Sequence, residues 1–412
     1  MSAEPTEPTE LVLQAVEGVS AVDRDDWNRL ANPGWRREGG ALVGDDAACR
    51  PYDPFVDHDF LSALEATGCV GPEAGWYPRP LLIRTADDEL VAAAPNYLKV
   101  HSQGEYVFDH GWADAFERAG GNYYPKLQVS VPFTPATGPR LLVRPGPDED
   151  ALRTHLADGL AAFAHQADAS SVHATFLLEE DWDTLVARGY LPRTDVQFHW
   201  EDRGYGDFEG FLAALSSRKR KQIRRERRDA LAAGLDIEWV TGSDLTEAHW
   251  DAFFGFYMDT GARKWGRPYL NRAFFSALGE TMADRVALVL ARRDGEPIAG
   301  ALNLIGSDTL YGRYWGCTED HPFLHFEICY YQAMDFALAR GLTRVEAGAQ
   351  GEHKLARGYE PHATRSAHYI LHPGLRRAIA EYLDRERHAM EVERGILAEH
   401  VPFRRGAPPE RG

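Results

Sequence analysis

The sequence predicts a mixed α/β protein built from two like halves, and three observations carry that reading. Pro80 to Ala94 runs P-L-L-I-R-T-A-D-D-E-L-V-A-A-A, two apolar runs around a charged turn, which is a hairpin pattern. It returns 207 positions on, at Ala287 to Ala301, with Asp294-Gly295 as the turn. A sharper echo carries Ala187-Arg188-Gly189-Tyr190-Leu191-Pro192-Arg193 onto Ala356-Arg357-Gly358-Tyr359-Glu360-Pro361-His362, 169 positions on. Finally, strand-length apolar runs alternate with stretches of helical spacing in both halves, as in a mixed α/β layer. The two offsets differ by 38 residues, which places extra sequence in the first half, around Val107 to Pro139.

Each half is expected to run hairpin, further strand, helix, strand, short helix, Gly-Tyr turn and final strand. In the second half the strand Thr309 to Trp315 precedes a helix from His325 to Arg340, where Ile328, Tyr331, Met334, Ala337 and Leu338 recur at helical spacing. Gly341 stops that helix. A strand Thr343 to Ala347, a turn Gly348 to Gly351 and a final strand Ser366 to Leu371 follow. At the start of this half Phe208 to Leu215 reads as a short helix, Ser216 or Ser217 as an N-cap, and the next helix runs to Ala233. The expected divisions are an acidic tail 1–10, a first domain 11–203, a second domain 204–375, and a C-terminal helix and tail 376–412.

A chain of 412 residues is too long for one ordinary core. Its 44% hydrophobic and 11% aromatic content is that of a globular protein. The acidic, Pro-rich start lacks the basic and apolar regions of a secretory signal, and no stretch approaches the roughly 18 apolar residues of a membrane span. A cytoplasmic protein is expected. Cys49, Cys69, Cys317 and Cys329 stand too far apart for a zinc or disulfide framework. A net charge of -18 argues against a broad nucleic-acid face, and DNA is not an expected partner.

Against that balance, positions 218 to 228 hold eight basic residues, with Ile223 the only apolar one between Ser217 and Asp229. As a helix the run is roughly 16 Å long, so its like charges repel within about two Debye lengths unless an anion answers them. A serine-capped helix start flanked by cations is a phosphate or pyrophosphate site in principle. Almost no acid stands at i,i+4 to neutralise it. The commoner alternative for a charge run is a solvated surface helix.

Two further stretches are dense in chemistry. Glu346 to Tyr359, E-A-G-A-Q-G-E-H-K-L-A-R-G-Y, offers Glu346 or His353 to take a proton from an amine and Lys354 to steady an oxyanion; a polar surface loop is equally compatible. Just before it, most aromatic residues of Tyr311 to Gly316 and His325 to Gln332 read as core. Arg313 and Glu327 stand among them, where a charge must be paired or face a cavity. In the first half, Lys99 and His101 within Tyr97 to Tyr106, and Lys126 after Tyr123-Tyr124-Pro125, read as a substrate wall, with structural packing the default.

At Phe60 to Glu65, His101 to Phe108, Tyr123 to Leu127, Val131 to Pro135, Ser216 to Arg228 and Glu346 to Tyr359 the chain resembles the FemAB-like family of peptidoglycan biosynthesis or recognition proteins, related to the GNAT acyltransferases. The resemblance covers the chain from about Asp53 onward, leaving Pro33 to Tyr52 as an insertion before the family's usual start. It implies two tandem GNAT-like domains with a substrate cleft between them, and transfer of an acyl or aminoacyl group from an activated ester or thioester to an amine. In Fem-type enzymes a serine plus basic run introduces the second domain, and a lysine shortly before a Gly-aromatic pair is implicated in transfer. Ser217, Arg218, Arg220 and Lys221 match the first pattern, and Lys354 before Gly358-Tyr359 is similar to the second.

On that resemblance Arg218, Arg220 and Lys221 would hold phosphate, Lys354 would steady the oxyanion, and Glu327, Glu346 or His353 would deprotonate the amine. No metal and no tightly bound cofactor is expected, because the donor arrives activated, as aminoacyl-tRNA presenting its acceptor end or as acyl-CoA. Gly316 to Phe326 lacks the R/Q-x-x-G-x-G/A helix start of acetyl-CoA-using GNAT domains, which weighs against acetyl-CoA. The acceptor is expected to be a small-molecule amine or a phosphorylated precursor. The alternative from another class is a protein that binds such a ligand without turnover.

Overall fold

The computed structural model describes residues 10–38, 41–45, 48, 50–232, 234–264, 268–348 and 351–404. The acidic start, Cys49, Ala233 and Ala349-Gln350 lie outside the described residues. The first half contains β1 (Leu11–Ala15), β2 (Trp35–Glu38), β3 (Ala41–Gly44), β4 (Trp76–Pro78), β5 (Leu81–Thr85), β6 (Leu90–Ala94), β7 (Asn96–Lys99), β8 (Lys126–Val129), β9 (Leu142–Val143), β10 (Ser171–Thr175) and β11 (Leu191–Glu201). The second contains β12 (Asp236–Thr241), β13 (Val286–Arg293), β14 (Glu296–Ile305), β15 (Thr309–Cys317), β16 (Arg344–Glu346) and β17 (Glu360–Ile370). The two expected hairpins are β5–β6 and β13–β14, and the architecture is mixed α/β.

An eleven-stranded sheet in the order β12-β13-β14-β15-β16-β11-β17-β10-β8-β7-β4 spans both halves. At its middle the halves trade strands. β11 ends the first half yet pairs with β16 and β17, and β17 ends the second half yet lies between β10 and β11. The 169-residue echo carries β11 onto β17, and the two run antiparallel from Leu191↔His368 to His199↔Glu360. Along β11 the pleat sends Phe198 and Trp200 into one apolar cluster and leaves Gln197 and His199 for the opposite face.

The halves differ where the offsets place extra sequence. Val107 to Pro139 supplies helix His110–Arg118 and β8, which inserts between β7 and β10, antiparallel to one and parallel to the other. In the second half the matching strands, β15 and β16, pair directly, and only over Thr309–Tyr311 against Arg344–Glu346. Beyond Tyr311, β15 runs on to Cys317 without β16, so the sheet opens. The first half fills with a strand the gap that the second half keeps. Its sheet also breaks between β6 and β7: β6 takes β9 as neighbour in a four-stranded sheet and β7 takes β4, so the layer expected there is two sheets.

Other expectations shift in detail. The helix through His325 to Arg340 forms, but Glu327–Tyr331 winds as a π-helix within it, a distortion frequent at functional sites. Gly341 ends it in the left-handed conformation, φ 68°. The final strand begins at Glu360, not Ser366, because its first residues pair across the seam with β11. The basic run's helix spans Ser217–Leu231. Within Pro33 to Tyr52, β2 and β3 form a hairpin whose Arg37 reaches Asp284 in the second half at 3.1 Å. A helix at Pro373–Glu399 lies across β11 and β17.

One apolar cluster runs from Val19 and Trp27 to Phe274 and Leu302, so the halves share a core. Helix Glu247–Lys264 crosses β15 so closely that a methyl on Gly316 would come within 2.1 Å of the Phe256 carbonyl oxygen. Gly316→Ala is therefore expected to cost about 1–3 kcal/mol, because backbone must move, and a lowered denaturant midpoint would register it. No helix among the described residues is long and apolar enough to cross a membrane.

Candidate active site in the strand opening

A cavity of about 370 Å³ occupies the opening between β15 and β16. Its walls come from Ala301–Asn303 of β14, Gly312–Trp315 of β15, Ala347 just past β16, His325, Cys329 and Tyr330, and from Tyr257, Thr260, Gly261, Pro268 and Tyr269. Gly104, Tyr106 and Phe108 close it from the first half. It is a cleft between the two halves.

The sequence places Arg313 here through a β-bulge. Leu302 pairs with Tyr314 and Asn303 with Gly312, leaving Arg313 out of the ladder, and bulges of this kind re-aim a side chain. Its guanidinium donates to the Phe133 carbonyl and lies 5.5 Å from the Phe55 ring and 5.2 Å from the Tyr314 ring. Phe133 and Tyr106 both have positive φ, 57° and 62°, where bulky side chains are strained. The Phe133 ring stacks on Tyr269 at 4.8 Å. Strained backbone thus sits where the first half meets the cavity.

Lys99, His101 and Lys126 do not line the cavity, which corrects their reading as a substrate wall. The Lys99 and Lys126 side chains are 0% exposed; each lies 2.8 Å from Glu105, and Lys126 also contacts Asp109. A buried charge must be paired, and these acids on the adjoining loop complete a closed network. Burial pulls the Lys99 ammonium down to about 7, partly offset by Glu105, whereas at Lys126 the pull of Glu105 and Asp109 outweighs burial and raises it. His101 Nε2 donates to the Ala74 carbonyl at 2.8 Å. All three fix the stretch Ser102 to Asp109, which carries Gly104, Tyr106 and Phe108 to the cavity.

On the other side, Glu346 is the last residue of β16 paired with β15, so it stands at the apex of the opening. It is buried, 3.8 Å from His199, and burial pushes its carboxyl up to about 8. Lys354 lies on a single 3-10 segment, Glu352–Arg357, that the Gly358-Tyr359 turn closes. Its buried ammonium donates to the Gly348 carbonyl at 2.8 Å, and burial pulls it down to about 8, opposed by Cys329 in the cavity wall. His353 is exposed, its Nε2 2.8 Å from the hydroxyl of Tyr330, another wall residue.

Glu327 is not brought to this group. Arg227 clasps its carboxylate at 2.9 and 3.1 Å, and Gln332 donates to it at 2.8 Å. At 0% exposure the carboxylate needs such a partner, and the basic helix supplies it. Arg227 also contacts Asp335, Arg224 contacts Glu209, and Arg225 and Arg228 contact Asp229. The later part of the basic run is thus neutralised, largely by distant acids, where the helical spacing alone predicted almost no partners. Buried Glu226 accepts from Tyr331, Arg357 and Gln222 and, with Ile223 and Ala230, makes the helix's inner face.

The start of the helix is different. Arg218, Arg220 and Lys221 have no ion pair among the described residues, Ser217 is exposed, and the N-cap Ser216 makes no side-chain cap bond. With Lys219, which also has no ion pair among the described residues, four cations share this helix end with its first backbone N–H groups. The helix packs against Leu324–Tyr331 and Glu352–Arg357, the segments that carry His325, Cys329, Tyr330 and Lys354. Sequence reasoning missed Tyr257, Tyr269 and Asn303, which carry no motif, and assigned Tyr314, Trp315 and Tyr330 to the core. Gly312 and Arg313 among those aromatics were the available signal.

The FemAB-like family model, described as peptidoglycan biosynthesis/recognition, matches residues 18–405. Pro33 to Tyr52 therefore lies inside the family's span, not before it. No curated protein matches the sequence. Among solved structures, FemX is 13% identical, with 78% of this chain and 93% of that one covered and a TM-score of 0.49. L-PGS from Bacillus licheniformis is 10% identical, with coverage of 86% and 99% and a TM-score of 0.48. A tandem GNAT protein from the clavulanic acid biosynthesis pathway is 12% identical, with coverage of 88% and 98% and a TM-score of 0.39.

Proposed function

The chain belongs to the FemAB-like family, and from that premise we propose that it is an N-acyl or aminoacyl transferase whose reaction takes place in the β15–β16 opening. The observation that carries this reading is Lys354, a buried amine bonded to the carbonyl of Gly348, the residue next to Ala347 of the cavity wall. The carbonyl of an activated ester or thioester enters the cavity and an acceptor amine attacks it. Glu346 takes the proton from that amine, Lys354 donates to the tetrahedral oxyanion, and as the C–O or C–S bond breaks Glu346 returns the proton to the donor oxygen or sulfur, which leaves as the hydroxyl or thiol. Glu346 is the better base because Glu327 is clasped by Arg227 and His353 is exposed. Arg218, Arg220 and Lys221 hold phosphate of the donor or acceptor at the open helix start.

The pH dependence tests the pairing of roles. Glu346 must be ionised, so rate rises as pH climbs through about 8, and Lys354 must be charged, so rate falls through about 8. The expected profile is a narrow bell centred near pH 8, falling about tenfold per unit on each side. A profile that rises without a maximum removes Lys354 from the charged role.

Reversing Arg218, Arg220 and Lys221 to Glu is expected to weaken substrate affinity at least about tenfold and flatten its salt dependence, since fewer phosphates are neutralised. Unchanged affinity across a salt series would sink the phosphate site. Transfer assays with and without nuclease then choose the donor: loss of activity indicates aminoacyl-tRNA, and survival indicates a thioester.

A further inference from the structure

We propose that the acyl side chain seated in this cavity is uncharged and ring-bearing, of the phenylalanine or tyrosine class, and not small, acidic or basic. This rests on the reading of the cavity as the transfer site.

The walls present Tyr106, Phe108, Tyr257, Tyr269, Trp315 and Tyr330, and among the described lining residues there is no Asp, Glu or Lys. Several polar atoms of the lining are committed to the protein itself. Tyr257 Oη accepts from the Leu270 backbone N–H at 3.0 Å, and Tyr330 is bonded to His353 at 2.8 Å. The Asn303 amide donates to the carbonyls of Ala287 and Ala301 at 3.1 and 3.4 Å. Arg313 is bound to the Phe133 carbonyl and flanked by two rings. A charged side chain would lose its hydration here and, among the described lining residues, meet one permanent charge, the Arg313 guanidinium, while Glu346 and Lys354 are taken up by the reacting carbonyl and amine; that costs far more than an apolar group gains. A ring meets the offset and edge contacts that aromatic faces prefer.

The test titrates the full chain with three probes, N-acetyl-phenylalaninamide, N-acetyl-lysinamide and N-acetyl-glutamic acid α-amide, while following the Trp315 indole N–H by NMR, identified through Trp315→Phe. The phenylalanine probe is expected to give a saturable shift with a dissociation constant at least about tenfold below either charged probe. Ala347→Trp should remove that shift by occupying the cavity. Tyr269→Ala, at the exposed rim, should weaken it about fivefold through a lost ring contact. Equal binding of a charged probe, no saturation with any probe, or phenylalanine binding unchanged in both variants overturns the proposal. The readout is binding, so absence of transfer with every donor would overturn the transferase reading and leave this order of probes intact. Transfer confined to small acyl groups would overturn this proposal and leave the transferase.

Discussion

Lys354→Met is expected to lower acyl transfer by about 10²–10³-fold while ligand binding in the cavity stays within about threefold. Methionine keeps the length and the apolar stem of the side chain and removes the ammonium. In the native protein that ammonium is 1% exposed and has the Gly348 carbonyl as its hydrogen-bond acceptor. Burial pulls it to about 8, so at neutral pH it keeps its charge but releases it readily, the condition under which a donor answers negative charge that develops only during reaction. Single-turnover transfer and the NMR titration, measured on the same sample, separate rate from affinity. Transfer that persists at the native rate would make Lys354 a tether for the Gly348 turn and remove the observation that carries the proposed reaction. Lost turnover with unchanged binding supports it.

Lys126→Met is expected to produce the largest loss of stability, about 3–5 kcal/mol, because it strips the charge partner from two carboxylates that cannot reach water. The Glu105 and Asp109 side chains are each 2% exposed, and after the change Lys99 remains only for Glu105. Equilibrium denaturation measures the loss. A double variant, Lys126→Met with Asp109→Asn, should recover part of it, since the stranded charge is gone. Asp109 also sets the response to acid. Burial alone would raise its pKa, but Lys126 overrides burial and holds it well below the usual carboxylate value of 3.8. A carboxylate depressed in the folded state contributes stability above its unfolded pKa and loses it as pH falls through the folded one. Without Lys126, burial is opposed only by His173 and the Ser102 hydrogen bond, and the acid-unfolding midpoint moves to higher pH. An unchanged midpoint would show that the network does not hold the loop.

How far sequence reaches is plain from individual elements. The final strands β11 and β17 were legible because the Gly-Tyr turn before each is local chemistry, repeated at a fixed offset. Their exchange was not, because the choice of neighbour in a sheet depends on residues in other strands. The spacing rule for the basic run sees only its own helix, whereas Glu209, Glu327 and Asp335 lie 15, 100 and 108 residues from the arginines they pair with. Lys99 and Lys126 read as a wall although Glu105 and Asp109 stood close by in the chain; equal numbers of opposite charges in an otherwise aromatic stretch are a sign of a buried network. The cavity was the hardest to foresee. An aromatic residue looks the same in sequence whether it packs against a neighbour or faces empty space, and the parting of β15 from β16 leaves only Gly312 and a bulge as traces.

The exchange of β11 and β17 makes each half depend on the other. In the first half β8 occupies the position that is vacant in the second, so β7 and β10 do not part there as β15 and β16 do. The first half nonetheless donates β11, without which β16 and β17 each lose a neighbour in the middle of the sheet. Without the first half the second would be left with an unmatched interior.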